Sequence, residues 1–170
     1  MIKNKHQQCG SLLIELLIVC LVVAFLASIS LSKVSMLNRF LIQAEVEKIR
    51  SFCWYLQQRA QMNQAHEILD INLKDGTYQA VGKVEHLAKG ITFGIMPEVK
   101  GPPSSPILPL KEVCSFANNK IIFAPDGTIT SGALYLYAQG SNVLYALTVP
   151  VAELCYIRIY KYDGSWKLLA

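Results

Sequence analysis

An apolar run from Ser11 to Leu31, interrupted by one charge, Glu15, constrains this chain more than any other feature. Its 21 residues would measure about 31 Å as a helix, against a hydrocarbon core of ~30 Å. A carboxylate within such a run costs roughly 2.5–3.5 kcal/mol on insertion scales, so its presence points to function. The run opens directly after Gly10. A hydrophilic leader, residues 1–10, precedes it and carries Lys3 and Lys5.

No glycine or proline occurs between Gly10 and Gly76, so a helix begun in the run has no intrinsic break. From Leu37 the pattern becomes amphipathic. Ile42, Val46, Ile49, Cys53, Leu56 and Ala60 recur at spacings of three and four, while Glu45, Glu47, Lys48, Arg50, Gln57, Gln58 and Arg59 lie off that seam. The spacing predicts one long helix, apolar over 11–31 and amphipathic over 32–64, with a β-rich globular domain over 65–170. The expected fold class is therefore α+β: a long N-terminal helix, transmembrane and then amphipathic, packed on an antiparallel sheet.

Beyond Gln64 the period becomes strand-like. Ile68, Ile71 and Leu73 lead to an Asp75-Gly76 turn, and Tyr78 to Val84 reads as the returning strand. Gly90 to Ile95, Lys120 to Phe123, Ala133 to Tyr137 and Val143 to Val149 read as further strands, with turns at Pro125-Asp126-Gly127 and Gly140-Ser141-Asn142. Tyr156 to Tyr162 and Ser165 to Leu168 form a closing hairpin around Asp163-Gly164. Met96 to Pro109, rich in proline, is a loop and a candidate partner-facing insertion.

The leader, Gly10, the apolar run and Glu15 together resemble the processing site of type IV prepilins and type II secretion pseudopilins. The resemblance implies cleavage by a prepilin peptidase between Gly10 and Ser11, N-methylation of Ser11, and an assembly role for Glu15, the fifth mature residue. The new ammonium on Ser11 would then give Glu15 of the same or a neighbouring subunit a partner of opposite charge. The first mature residue in the family is usually Phe, and here it is Ser11. A looser resemblance runs from Leu87 to Phe93 and from Phe123 through Pro125-Asp126-Gly127-Thr128 to Leu136. It is to the globular domain of H-type minor pseudopilins and FimT-type minor pilins. These resemblances imply a minor pseudopilin, a structural subunit of a type II secretion pseudopilus. The alternative is a minor pilin of a type IV pilus or competence system. The implied partners are other pseudopilins or pilins, the prepilin peptidase and the inner membrane. The C-terminal domain would lie in the periplasm. An ordinary signal anchor remains the plainer reading of the apolar run.

Charge adds little: the net charge is +4, and losing Lys3 and Lys5 leaves 14 basic against 12 acidic residues. That bias is too small to argue for nucleic acid by itself. In the last hairpin Tyr156, Arg158 and Tyr160 share one strand face, with Lys167 expected opposite Tyr160. Such a face could stack bases and hold phosphate, making DNA a candidate partner, or it could be a solvated face with cross-strand tyrosines. Of the five cysteines, Cys9 lies in the leader and Cys20 in the apolar run. With Cys53 on the helical seam, Cys114 and Cys155 are the expected disulfide, three free thiols being the alternative. His6, His66 and His86 are isolated, and no metal-ligand, phosphate-loop or nucleophile spacing appears. The sequence gives no reason to expect an enzyme, a metal or a cofactor.

Overall fold

A computed structural model describes the backbone of residues 6–97, 99–101, 109–151 and 155–169, with the side chains of all of these except 6–13 and 26–37. The elements are helix α1 (His6–Asn63), strands β1 (Glu67–Asn72), β2 (Thr77–Ala80), β3 (Lys83–His86) and β4 (Ile91–Phe93), a 3-10 turn at Ala117–Asn119, and strands β5 (Lys120–Phe123), β6 (Gly132–Ala138), β7 (Leu144–Val149), β8 (Arg158–Tyr162) and β9 (Trp166–Leu168). The chain divides into two units, residues 1–37 and 38–170, and α1 contributes to both.

In the first unit, all eight large apolar side chains from Ile14 to Val23 are exposed, as is Glu15 among them. Among the described residues no helix is long and apolar enough to cross a membrane. The expected fold class is corrected on this point and on the sheet. The strands form two antiparallel sheets, not one, and the second unit is mostly β. The first sheet has the order β3-β2-β1-β5, and the second the order β4-β6-β7-β8-β9. The physical reason is the turn-rich stretch from Ala124 to Ser131. It separates β5 from β6, so that β5 returns to β1 while β6 pairs with β4 and β7.

Residues 38–63 of α1 supply the common seam for the two sheets. Ile42, Val46, Ile49, Cys53, Leu56 and Ala60 are each at most 1% exposed. They share one core with Leu69, Ile71, Tyr78 and Phe123 of the first sheet and Leu134, Leu136, Tyr145, Leu147 and Ile159 of the second. Fully burying an aliphatic side chain of this size contributes ~1.5–3 kcal/mol. Strand β7 is buried along its whole length, because it is central and has cover on both faces. Its Tyr145 and Leu147 face the common core, whereas Leu144 and Ala146 join Val99 and Tyr135 in a second cluster on the outer face. The segment after β4 closes that face: Val99 is buried, and Trp166 Nε1 donates to the carbonyl of Lys100 at 2.9 Å. The expected partner-facing loop is thus anchored at its described ends, and its remainder, 102–108, lies outside the described residues.

The expected strand from Tyr78 to Val84 is broken in two. Val81 and Gly82 both take positive φ, 55° and 73°, and turn β2 back into β3. Glycine suits such a two-residue turn, whereas a β-branched valine there is strained. Facing α1, this hairpin is tied down by charge. Lys48 Nζ reaches Glu85 at 2.9 Å and the buried Glu45 at 3.6 Å, and Lys83 reaches Glu85 at 2.6 Å. Tyr78 donates its hydroxyl to Glu45 at 3.4 Å. The two ammonium groups, Lys83 foremost, hold the Glu85 carboxyl down to about 2, and burial pushes the Tyr78 hydroxyl up to about 12.

Candidate functional site

A groove of about 590 Å³ lies in the second unit between α1 and the approach to β8. Helix residues Arg50, Ser51, Cys53, Trp54 and Gln57 form one wall, and Cys155, Tyr156, Ile157 and Ile129 form the other. Helical periodicity explains the first wall. Positions 50, 53, 54 and 57 fall on one flank of the buried seam, so an apolar floor at Cys53 grades into a solvent lip at Trp54, which is 64% exposed. The far wall carries a stacked pair: the Arg158 guanidinium sits 5.4 Å from the Tyr156 ring centre, and its Nη2 donates to the Tyr156 hydroxyl at 2.8 Å.

Gln57 holds the two walls together. Its Nε2 donates to the carbonyl of Gly127 at 2.6 Å and to that of Cys155 at 2.7 Å. The first acceptor lies in the turn after β5 of the first sheet, and the second in the segment leading to β8 of the second sheet. Gln57 is buried despite lying off the apolar seam, and so is Glu45. Sequence periodicity placed both off the buried seam. Only their ability to satisfy buried polar groups explains their position, and spacing does not reveal that. In the same turn as Gly127, Asp126 accepts from the backbone N–H and the hydroxyl of Thr128, and these bonds lower its carboxyl.

The residues singled out from sequence fall in different places. Gly10 and Ser11 lie where no side chain is described, so the processing site is outside the described residues. Glu15 is exposed within the apolar stretch 14–25. The expected Cys114–Cys155 disulfide is absent: both thiols are free, Cys114 buried and Cys155 exposed. The reason is placement. Cys114 bridges to Leu134 of β6, while Cys155 lies in the groove against α1. Burial pushes the Cys114 thiol up, and that of Cys53 up to about 12.

The expected tyrosine and lysine face loses its lysine. The last hairpin turns through three residues, not two, pairing Tyr162 with Trp166, Lys161 with Lys167, and Tyr160 with Leu168. A one-residue shift in register reverses which face a side chain occupies. Lys167 therefore lies on the opposite face from Arg158 and Tyr160. Tyr160 itself packs against the second cluster beside Trp166. Of the proposed nucleic-acid face, Tyr156, Arg158 and Tyr160 remain together, with the Arg158 guanidinium bonded to both tyrosine side chains, and Lys167 alone is lost from it.

Among the described residues no group of three or more His, Cys, Asp or Glu side chains is placed to hold a metal ion. No protein-family model, curated protein or solved structure matches this chain.

Proposed function

We propose that the chain is a structural subunit of a fibre, a minor pseudopilin of a type II secretion pseudopilus. The observation that carries the reading is the row of exposed apolar side chains from Ile14 to Val23 with Glu15 among them. A soluble monomer rarely leaves such an area of apolar surface in water, and larger patches mark interaction surfaces. Copies of this segment, packed together, cover one another. In the assembled fibre Glu15 meets the ammonium created on Ser11 of a neighbour when a peptidase cuts after Gly10. An isolated carboxylate among apolar side chains is costly, and this pairing offsets the cost only in the correct axial register. Before assembly the subunit resides at the inner membrane, with residues 38–170 on the periplasmic side.

The competing reading, a pilin that contacts DNA, is favoured by no further observation once Lys167 is placed on the opposite face. Two measurements test the proposal. The mature polypeptide is expected to begin at Ser11 by mass spectrometry, and Glu15→Ala is expected to leave cleavage intact while reducing incorporation into fibres. A native N-terminus at Met1, or normal fibre content in the variant, overturns it.

A further inference from the structure

Two of the four cysteines with described side chains share a site. Cys53 forms part of the groove's helical wall and Cys155 part of the opposite wall. Gln57 sits one turn beyond Cys53 on the same side of α1, and its amide holds the Cys155 carbonyl at 2.7 Å. Residues four apart on a helix have Cβ atoms about 5–6 Å apart, so the Cys155 backbone is fixed near the turn that carries Cys53. A disulfide across the groove requires the two Cα atoms to come within ~4.4–6.8 Å of each other. Cys114 lines no part of this groove, and its backbone is held instead against Leu134.

We propose that Cys53 and Cys155 are an oxidisable pair that forms a disulfide across the groove, tying α1 to the segment that leads into β8. The oxidant is an external disulfide, either a small-molecule one or that of a thiol oxidoreductase. The exposed Cys155 reacts first. Its thiolate attacks one sulfur of the external disulfide, the S–S bond breaks, and one thiolate leaves. Cys53 then gives up its proton and attacks the Cys155 sulfur of the mixed disulfide, releasing the second thiolate. Two electrons pass to the external disulfide, and the two protons lost by the cysteines end on the two thiols released. Exposure sets this order, because the buried Cys53 cannot meet a bulky oxidant but can meet a sulfur already held in the groove. Burial makes the Cys53 thiolate scarce, so the second step is the slow one. The ring closed by the bridge spans most of the second unit, so oxidation restricts the unfolded chain strongly. The inference concerns residues 38–170 and does not rest on fibre assembly.

Trypsin separates the relevant cysteines cleanly: Cys53 falls in peptide 51–59, Cys114 in 112–120 and Cys155 in 121–158. The full chain is reduced, incubated with oxidised glutathione at pH 8, alkylated in denaturant and digested without reductant. Peptide 51–59 joined to 121–158, with 112–120 fully alkylated, is the expected result. A link between 112–120 and 121–158 overturns the proposal, as does a stable glutathione adduct on Cys155 with 51–59 alkylated. In parallel, oxidant is expected to raise the unfolding temperature of the wild-type chain and of Cys114→Ala, but not of Cys155→Ser. Cys155 is exposed, so its replacement leaves folding intact. A rise that persists in Cys155→Ser also overturns the assignment.

Discussion

Replacing Gln57 tests whether one side-chain amide holds the two sheets to the helix. In Gln57→Leu the volume is nearly kept, but the bonds to Gly127 and Cys155, 2.6 and 2.7 Å long, are both lost. Each bond contributes about 0.5–1.5 kcal/mol net, and a carbonyl left buried without a partner costs about 1–3 kcal/mol. The Cys155 carbonyl lies beside an open groove where water replaces the amide, so its loss falls at the low end. The Gly127 carbonyl is bonded in a buried setting and falls nearer the middle of the range. Together these give a loss of about 2–3 kcal/mol. For a unit of about 130 residues that corresponds to a fall of roughly 8–12 °C in unfolding temperature. Urea unfolding of the full chain should show a lower midpoint at an unchanged slope. Gln58→Ala, on the exposed neighbour, should stay within about 0.5 kcal/mol of the wild type. A companion variant fixes the sign of the electrostatics. In Gln57→Glu the carboxylate would face two carbonyl oxygens, so its folded-state pKa must rise above the ordinary ~4.3. Its protonated form can still donate one bond. Stability is then retained below the ordinary carboxyl pKa and lost as pH rises through the raised one. A loss under 0.5 kcal/mol in Gln57→Leu, or no pH dependence in Gln57→Glu, refutes the reasoning.

Other expectations follow from single contacts. A Cβ added at Gly132 runs into the ring of the buried Phe116, so Gly132→Ala should cost about 1–3 kcal/mol by thermal unfolding. Val81 holds a positive φ in an exposed turn, so Val81→Asn should raise the unfolding temperature, by the equivalent of about 1 kcal/mol. Because Lys83 and Lys48 lower the Glu85 carboxyl to about 2, its contribution is present above the ordinary carboxyl range. It is lost as pH falls from about 5 towards 2, and Glu85→Gln should flatten acid unfolding curves in that window.

Much of the second unit could be read from residue types. The seam from Ile42 to Ala60 follows from spacing alone, since a 3.6-residue period places those six side chains on one line. Most strands are marked by β-branched and aromatic runs between Gly, Pro and Asn turns. The errors have particular causes. Val81 hid the turn between β2 and β3, because a valine at positive φ runs against local propensity and is imposed by the pairing of Tyr78 with Glu85. The closing hairpin slipped by one residue, because Asp163-Gly164 suggests a two-residue loop while the ladder resumes only at Trp166. That slip alone moved Lys167 to the wrong face. The division into two sheets depends on β5 returning to β1, a pairing between residues far apart that periodicity cannot see. The groove was invisible for a similar reason. Gln57 and Cys155 are 98 positions apart, and nothing local to either announces the other.

The return of β5 to β1 also dictates an order of events during synthesis. Glu67 finds its ladder partner, Phe123, only after more than fifty further residues have been made. Until then the hydrophobic line on α1 has a single three-stranded meander, β1 to β3, to rest against. The opposite sheet cannot finish until β8 and β9 leave the ribosome at the end of the chain. A nascent polypeptide halted between Phe123 and Arg158 would hold one finished sheet and a bare flank of helix. That is the interval in which this protein most needs a chaperone.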